Sequence, residues 1–278
     1  MTATTATTAP RPVSVDELRR AWRAVQAGQF RSRPTPHPAG HPSRRSGEPA
    51  AGAEWTLASE ERVLPVLGSA GWCGATTVAL ALATAADGRA RVVECAPVTA
   101  TGLAAASTAE LGADGHGWTR GSRDAVWLDR VHTHDLPDDL PVPSPVEGPI
   151  LTVIDLTQPA EQVLAGDTWR RRLLEDAATV VVAGRVSVPG VRRLESCLDL
   201  LGADRVVVAL LGAPRRRWPR DVTHSLGRLT RSCVDAGRLV DIGEDRALAV
   251  HGLTPAPLPA PLIAAATRLL HLTEGTPR

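Results

Sequence analysis

The alternation of short apolar runs with helix-forming stretches is the feature that most constrains the fold. From Arg62 onward, runs rich in Val, Leu and Ile are each followed by Ala- and Leu-rich segments. Continuous apolar runs are typical of strands that are buried on both faces of a parallel sheet. Because crossovers between parallel strands are right-handed, the pattern predicts a doubly wound, mostly parallel α/β sheet with helices on both faces.

The element boundaries follow from the same pattern. The predicted strands cover residues 62–67, 91–95, 125–131, 150–156, 179–183, 205–211 and 239–242. The predicted helices cover residues 76–86, 102–111, 169–176, 189–201, 221–236 and 262–272. Ligands of such sheets bind beyond the carboxyl ends of the strands, so the loops at those ends are the first places to search for a site.

The N-terminal part of the chain differs in composition from the rest. Residues 1–54 are rich in Thr, Ala, Pro, Arg and Ser, which predicts a disordered tail before an α/β domain over residues 55–278. Within the tail, a capping box precedes Leu18, Trp22 and Val25 at helical spacing, so a short amphipathic helix is expected over residues 15–27. This helix either packs on the main domain or docks its Trp22 face on a protein partner.

Composition excludes several classes of function. All 31 basic residues are arginine, so chemistry that needs a lysine amine, such as a Schiff base, is excluded. The scarcity of Lys, Tyr and Phe beside abundant Ala, Arg, Gly and Pro is typical of a GC-rich, actinobacterial type of genome. The net charge of +1 provides no bulk attraction for nucleic acid or membranes. No apolar run is long enough to span a bilayer, no secretory signal is evident, and four cysteines without a CxxC motif fit a reduced, cytoplasmic protein.

A Gly-rich loop joins the first predicted strand to the first helix. It reads Gly68-Ser-Ala-Gly71-Trp-Cys-Gly74-Ala75-Thr76-Thr77. Backbone N–H groups of such a loop approach phosphate closely at a helix N-terminus. The usual form is GxxxxGK[ST], but residue 75 is Ala and Ser69 stands five residues before Gly74. The residues expected to form an anion-binding nest are Gly71, Gly74, Ala75, Thr76 and Thr77.

The loop resembles the deviant Walker A motif of ParA/MinD-type P-loop ATPases of the SIMIBI class, which reads KGGxGKTT. The run from Ile150 to Asp155 is similar to the Walker B strand of that family. Residues 179–195 resemble the next strand and helix, and residues 237–252 resemble a late segment near the nucleotide base. The resemblance spans residues 62–273 and implies bound ATP with Mg²⁺, for which Thr76 is a ligand and Asp155 an outer partner.

Departures from the family pattern are as informative as the matches. Ala70 and Ala75 stand where the loop of the family has lysines. The acidic D-x-D motif after the second strand is Glu94-Cys95-Ala96, and the base-reading Asn falls near Gly212. Phosphoryl transfer depends on charged groups that are held in position around the phosphates, so these changes predict little or no hydrolysis. On the alternative interpretation, the glycines only let the helix pack closely over the sheet.

Three functions are compatible with these residues. The resemblance implies a nucleotide-binding or pseudo-ATPase regulator that works through a homodimer, in DNA or plasmid partitioning, mobile-element maintenance or cargo positioning. A nucleotide-free scaffold or adaptor that acts through protein or DNA contacts is the second hypothesis. The third is a working ATPase that receives an arginine from a partner subunit.

The densest basic cluster follows the strand at 205–211. Arg215, Arg216, Arg217 and Arg220 are expected at the carboxyl edge of the sheet, where they would contact phosphate or DNA, with Trp218 stacking on a base. The alternative is a solvated loop anchored by the Trp. The run Arg170–Arg172 is interpreted as a solvated helix face.

Three smaller features allow further hypotheses. A thiol near a helix N-terminus can have a lowered pKa, so Cys73 is a competing candidate for a reactive site. The segment from Trp118 to Trp127, which includes Arg120 and Arg123, is either a partner surface or a hairpin that caps the sheet. The pattern His132-x-His134 with Asp135 lacks a third ligand at metal-site spacing, so no metal site is predicted there.

Overall fold

The computed structural model describes Trp55 and residues 61–97, 100, 102–131 and 140–275. The strands within these ranges are β1 (Arg62–Gly68), β2 (Ala90–Glu94), β3 (Ala109–Ala113), β4 (Trp118–Arg123), β5 (Val126–Val131), β6 (Leu151–Leu156), β7 (Val180–Arg185), β8 (Val206–Gly212) and β9 (Leu239–Gly243). The α-helices are α1 (Ala75–Ala85), α2 (Ala160–Ala165), α3 (Trp169–Asp176), α4 (Val188–Leu201), α5 (Arg220–His224), α6 (Arg228–Asp235), α7 (Arg246–His251) and α8 (Ala260–Glu274).

The strands form one nine-stranded sheet in the order β3-β4-β5-β2-β6-β1-β7-β8-β9. All neighbouring strands are parallel except at one edge, where β3, β4 and β5 pair in antiparallel fashion. Helices cover both faces, which confirms the predicted doubly wound, mostly parallel α/β architecture.

Each face of the sheet has its own apolar layer because successive strand residues point to opposite faces. On one face, Val66 and Val153 pack with Leu80 of α1 and Leu269 of α8. The opposite layer includes Leu67 and Ile154 together with residues of α2 to α6. Since the central strands are buried on both faces, their sequences read as continuous apolar runs.

The helix predicted over residues 102–111 is wrong. Residues Leu103–Ala106 form one 3₁₀ turn, and the following residues form β3. This strand is exposed along its whole length, so no apolar face determined its conformation. Antiparallel pairing with β4 supplies the backbone hydrogen bonds instead, with Glu110 opposite Gly121. The tertiary pairing overrides the helix propensity of an Ala-rich segment.

The single helix predicted over residues 221–236 is divided into α5 and α6. The break lies at Ser225–Gly227, and Glu195 of α4 caps the start of α6. Its carboxylate accepts hydrogen bonds from the backbone N–H of Leu229 at 2.8 Å and of Thr230 at 2.9 Å. A distant carboxylate that satisfies the free amides of a helix end leaves no local sequence signal.

The segment from Trp118 to Trp127 is part of the antiparallel hairpin of β4 and β5, so the hairpin interpretation is confirmed. Trp118 is 1% exposed and Arg123 is 2% exposed, which overturns the partner-surface hypothesis for these two side chains. Arg123 donates hydrogen bonds to the backbone carbonyls of Thr254 and Ala256 instead.

A buried ion-pair network joins the hairpin to β2. Asp129 accepts a hydrogen bond from Nε of Arg91 at 2.6 Å and another from Nε of Arg120 at 2.7 Å. The Arg120 guanidinium also lies 4.8 Å from the ring centre of Trp127, and that of Arg89 lies 5.1 Å from it. Because the side chains of Arg91 and Asp129 are 0% and 1% exposed, each charge depends on the other.

Two sequence predictions lie outside the described residues. They are the helix over residues 15–27 with its Leu18, Trp22 and Val25 face, and the His132, His134 and Asp135 group. In the part of the chain that the structure describes, no helix has the length and apolar character needed to cross a membrane. Within those same ranges, no group of three or more His, Cys, Asp or Glu side chains is placed to hold a metal ion.

Replacing Asp129 tests the buried network. We expect Asp129→Ala to lower the free energy of unfolding by about 3–5 kcal/mol, because it leaves the Arg91 guanidinium buried without its counter-charge. Urea unfolding followed by circular dichroism measures this loss. Glu110→Ala is the matched control, since Glu110 pairs with Arg130 but its side chain is 53% exposed; it should cost less than about 1 kcal/mol. Equal losses in both variants would contradict the buried role.

Candidate phosphate-binding loop and carboxyl edge

The centre of the sheet positions the Gly-rich loop. Strand β1 lies between β6 and β7, so the connection from β6 to β7 crosses β1. At such a switch point the connections diverge and leave a crevice beyond the carboxyl ends of the strands. The loop at Gly68–Gly74 follows β1 at this crevice, and α1 begins directly after it.

Gly74 is the turning point between loop and helix. Its φ of 89° lies in the left-handed region, and its carbonyl accepts the first hydrogen bond of α1, from Val78 N–H at 2.9 Å. A Cβ atom at Gly74 would lie 2.5 Å from Cδ2 of Leu211 in β8. Glycine is therefore favoured by the backbone conformation, and it also lets the Leu211 side chain lie close to the loop.

Trp72 is a residue that the sequence reasoning missed. It has a φ of 61° and is 101% exposed at the tip of the loop. A bulky residue in the left-handed region costs of order 1–3 kcal/mol. The available signal was the motif itself, since Trp72 stands where KGGxGKTT has its second glycine.

Thr76 and Asp155 are brought together as predicted for a magnesium site. The Thr76 hydroxyl donates a hydrogen bond to Oδ2 of Asp155 at 2.5 Å. Asp155 is fully buried, and its Oδ1 has no hydrogen-bond partner among the described residues. An orphaned buried carboxylate oxygen beside a hydroxyl fits the all-oxygen ligand preference of Mg²⁺. These two side chains are the ones that would hold the ion or its water.

The Asp155 carboxyl is shifted toward its neutral form. Burial is the largest cause, the charge of Glu94 also raises the pKa and the Thr76 hydrogen bond lowers it, and together they raise the pKa to about 7. Glu94 lies directly opposite Asp155 in the pairing of β2 with β6. Its Oε1 accepts hydrogen bonds from the backbone N–H of Gly102 at 3.1 Å and of Leu103 at 3.3 Å. The acid that replaces the D-x-D motif therefore holds the loop after β2.

Cys73 does not have the lowered pKa that its position near a helix N-terminus suggested. Its side chain is buried, and burial raises the pKa of the thiol, although the backbone N–H groups of Ala70 and Ala75 act to lower it. A Cβ atom at Gly68 would lie 2.6 Å from the Cys73 sulfur. The sulfur thus fills the inside of the loop, and the hypothesis of a reactive thiol is wrong.

The predicted nest residues lie in the Gly-rich loop and the first turn of α1. Thr76 and Thr77 contribute first-turn amides of α1, which have no acceptor within the helix. Gly71 is exposed, and a Cβ atom there would meet nothing within 4 Å. The amides of Gly74 and Ala75 directly precede those of Thr76 and Thr77. The Ala75 N–H also lies near the Cys73 sulfur.

The arginine cluster forms a 3₁₀ turn at Arg215–Arg217, beyond the carboxyl end of β8. Arg215, Arg216, Arg217 and Arg220 are exposed. Trp218 is not available for base stacking, because it is 8% exposed and its indole N–H donates to the Ala213 carbonyl at 2.8 Å. The hypothesis of a stacking Trp218 is therefore wrong, and this Trp anchors the loop.

The interpretation of Arg170–Arg172 as a solvated face is wrong for its first member. Arg170 is 3% exposed and donates a hydrogen bond to the Gln158 side chain at 2.7 Å. Arg171 pairs with Glu175 at 2.8 Å on the outer face of α3, where both side chains are more than two-fifths exposed.

Comparison with solved structures identifies the architecture. The apo McdA structure from Cyanothece superposes with a TM-score of 0.53 at 11% sequence identity, over 77% of this chain and 100% of that chain. The fold is that of ParA/MinD-like P-loop proteins. Weaker similarities are found to a plasmid partition protein from Borrelia burgdorferi B31 bound to AMPPNP and to a ParA family ATPase from Chlorobium tepidum TLS.

These two weaker matches have TM-scores of 0.46 and 0.44 and identities of 12% and 14%, respectively. Each covers 77% of this chain, and they cover 98% and 93% of their own chains. No protein-family model matches the sequence, and no curated protein sequence matches it.

Neutralising Asp155 should stabilise the fold, and more so at high pH. The pKa of the folded state, about 7, lies above the ordinary value of 3.8. As pH rises between these values the unfolded chain loses its proton first, so the free energy of unfolding falls. Asp155→Asn removes this loss while keeping an acceptor for Thr76.

We therefore expect the stability gain of Asp155→Asn to be larger at pH 8 than at pH 5, by about 2 kcal/mol. Urea unfolding in EDTA at the two pH values measures it. Asp199→Asn, an exposed carboxylate on α4, is the matched control and should show no such trend. A gain from Asp155→Asn that is independent of pH would contradict the raised pKa.

Proposed function

We propose that this protein is a ParA/MinD-like regulator that binds a magnesium nucleotide without hydrolysing it efficiently. The observation that carries the proposal is the Thr76–Asp155 hydrogen bond, with the second oxygen of a fully buried Asp155 left without a partner. A cation beside that oxygen would favour the ionised carboxylate, which burial otherwise opposes.

The residues of the loop then have distinct roles. First-turn amides of α1 at Thr76 and Thr77 would bind phosphate oxygens, with Gly71 and Gly74 allowing close approach. Thr76 and Asp155 would hold the magnesium ion. When bound, that ion neutralises phosphate charge.

Inefficient hydrolysis follows from missing positive charge. Ala70 and Ala75 occupy the lysine positions of the family motif, and no lysine stands elsewhere in the chain. Glu94 is engaged with the amides of Gly102 and Leu103. Because phosphoryl transfer depends on placed charge, a site with these substitutions is suited to sensing a nucleotide and poorly suited to consuming it.

The cellular role belongs to the same proposal. A homodimer that acts in DNA or plasmid partitioning, mobile-element maintenance or cargo positioning is what the sequence resemblance implies. The cluster of Arg215, Arg216, Arg217 and Arg220 would contact DNA phosphates, since its guanidinium groups are exposed beyond the carboxyl end of β8.

A second function is favoured by the inside of the loop. The Cys73 sulfur lies against the amides of Ala70 and Ala75, which in a phosphate-binding loop would face the ligand. Moreover, a neutral Asp155 needs no cation. Both observations support a nucleotide-free scaffold or adaptor in which the loop only joins β1 to α1.

Thermal unfolding with and without millimolar Mg-ATP, Mg-ADP or Mg-GTP separates the two functions. A ligand that binds only the folded state stabilises it by about 2.7 kcal/mol at a hundredfold excess over its Kd. For a chain of this size that corresponds to a Tm increase of roughly 5–10 °C. We expect an increase in the wild type and none in Thr76→Ala.

Thr84→Ala is the matched control, because Thr84 lies on the same helix and donates only to the Leu80 carbonyl. It should keep the full nucleotide-dependent increase. No increase with any nucleotide in the wild type would overturn nucleotide binding and favour the scaffold. If the wild type releases phosphate from the nucleotide rapidly and Asp155→Asn abolishes that release, the protein hydrolyses nucleotide efficiently and this part of the proposal is wrong.

A further inference from the structure

The carboxyl edge of the sheet has two exposed features that nucleotide binding does not explain. One is the indole of Trp72 at the tip of the Gly-rich loop. The other is the group of arginines that follows β8, which we call the arginine turn and define as Arg215, Arg216, Arg217 and Arg220. They differ in chemistry, one aromatic and one cationic, and neither contributes to the core of the domain.

Trp72 differs from every other tryptophan in the described ranges. Trp118, Trp169 and Trp218 are at least nine-tenths buried. Trp55 packs edge-on against Trp169, and Trp127 lies between two guanidinium groups. Trp72 alone of this set is fully exposed, and no ring or cation within the described residues covers it. The loop that presents it lies against Leu211 of β8 at Gly74.

The arginine turn is anchored by two hydrogen bonds and has exposed side chains. The Trp218 indole holds the turn from one end by donating to Ala213, and the backbone N–H of Arg215 donates to Oδ2 of Asp241 at 3.0 Å. Within the described residues, no carboxylate forms an ion pair with the four guanidinium groups. The exposed Asp221 beside Arg220 leaves the segment with a clear excess of positive charge.

The two features belong to neighbouring parts of one edge. Gly74 contacts Leu211 directly, and only β7 separates β1 from β8 in the sheet. Consecutive Cα atoms are 3.8 Å apart, so Trp72 lies within about 8 Å of Gly74, and Arg215 within about 15 Å of Leu211. A strand of a few nucleotides spans the separation that these limits allow between Trp72 and Arg215. Single-strand binding sites cover about 4–16 nucleotides.

We propose that Trp72 and the arginine turn together bind single-stranded nucleic acid. Bases stack on the Trp72 indole, and the arginines contact successive phosphates. A duplex buries the faces of its bases, so its phosphates can contact the arginines but its bases cannot stack on Trp72. The inference rests on the phosphate contacts proposed above for the arginine turn, and it adds the strand type that the surface recognises.

Fluorescence anisotropy tests the proposal with labelled oligothymidylate of about 12 nucleotides and a duplex of equal length. The full chain is used without nucleotide or magnesium, so the result does not depend on the P-loop. We expect the single strand to bind at least about tenfold more tightly than the duplex. Trp72→Asn, which tolerates the left-handed backbone, should remove that preference, whereas Trp72→Phe should retain it.

The contribution of the arginine turn is measured by the salt dependence of binding. Replacing Arg215, Arg216 and Arg217 by Ser should weaken binding of both ligands and reduce the salt slope for the single strand by about 2, measured between about 50 and 200 mM salt. Trp72→Asn should leave that slope unchanged. The matched controls are Leu200→Ala, an exposed apolar residue, and the pair Arg192→Ser and Arg193→Ser, exposed arginines on α4. These variants should bind like the wild type.

Several results would overturn the proposal. Equal or tighter duplex binding, with loss only in the arginine variant, would leave phosphate contact intact and remove the single-strand assignment. Absence of binding to either ligand would remove both. A wild-type dimer in sedimentation that Trp72→Asn dissociates, without change in oligonucleotide binding, would instead assign the indole to an interface between two copies of this chain.

Discussion

The hydrogen bond between Thr76 and Asp155 joins the Gly-rich loop to the centre of the sheet. Asp155 is placed by the parallel register of β6 with β1 and β2, and Thr76 by the first turn of α1. The contact is made in the apolar interior, where a carboxylate is disfavoured. The arrangement has a cost in stability, and a fold selected for stability alone would have an apolar residue there.

The chain combines a retained oxygen site with lost positive charge. Family lysines supply charge to phosphates from the loop itself, and here alanines occupy both positions. Inside the loop, the Cys73 sulfur lies against the backbone N–H groups of Ala70 and Ala75. On the proposed function, binding and turnover depend on different residues, and Thr76 and Asp155 are those assigned to binding.

The sequence predicted the elements whose local pattern agrees with their tertiary role. Apolar runs such as β6 and β7 are buried on both faces, so composition alone identifies them. The Ala-rich segment that contains β3 was misassigned because an exposed edge strand is specified by its neighbour. Similarly, the break before α6 depends on Glu195, which is distant in sequence.

The candidate site was predictable to the same degree. Thr76 and Asp155 follow from the resemblance of their segments to the Walker A and Walker B motifs. The burial of Cys73 and of Trp218, and the exposure of Trp72, depend on how the loop and the arginine turn pack against the rest of the domain. No single-sequence pattern encodes those contacts.

Gly74 lies against the Leu211 side chain, so the loop and strand β8 are in van der Waals contact. A Cβ atom at Gly74 would require the end of the Leu211 side chain to move. A loop that widened to admit a phosphate would press on Leu211, two residues before the Ala213 carbonyl that holds the Trp218 indole. The shape of the loop would then be transmitted to the arginine turn through a path of van der Waals contact, without any movement of the sheet as a whole.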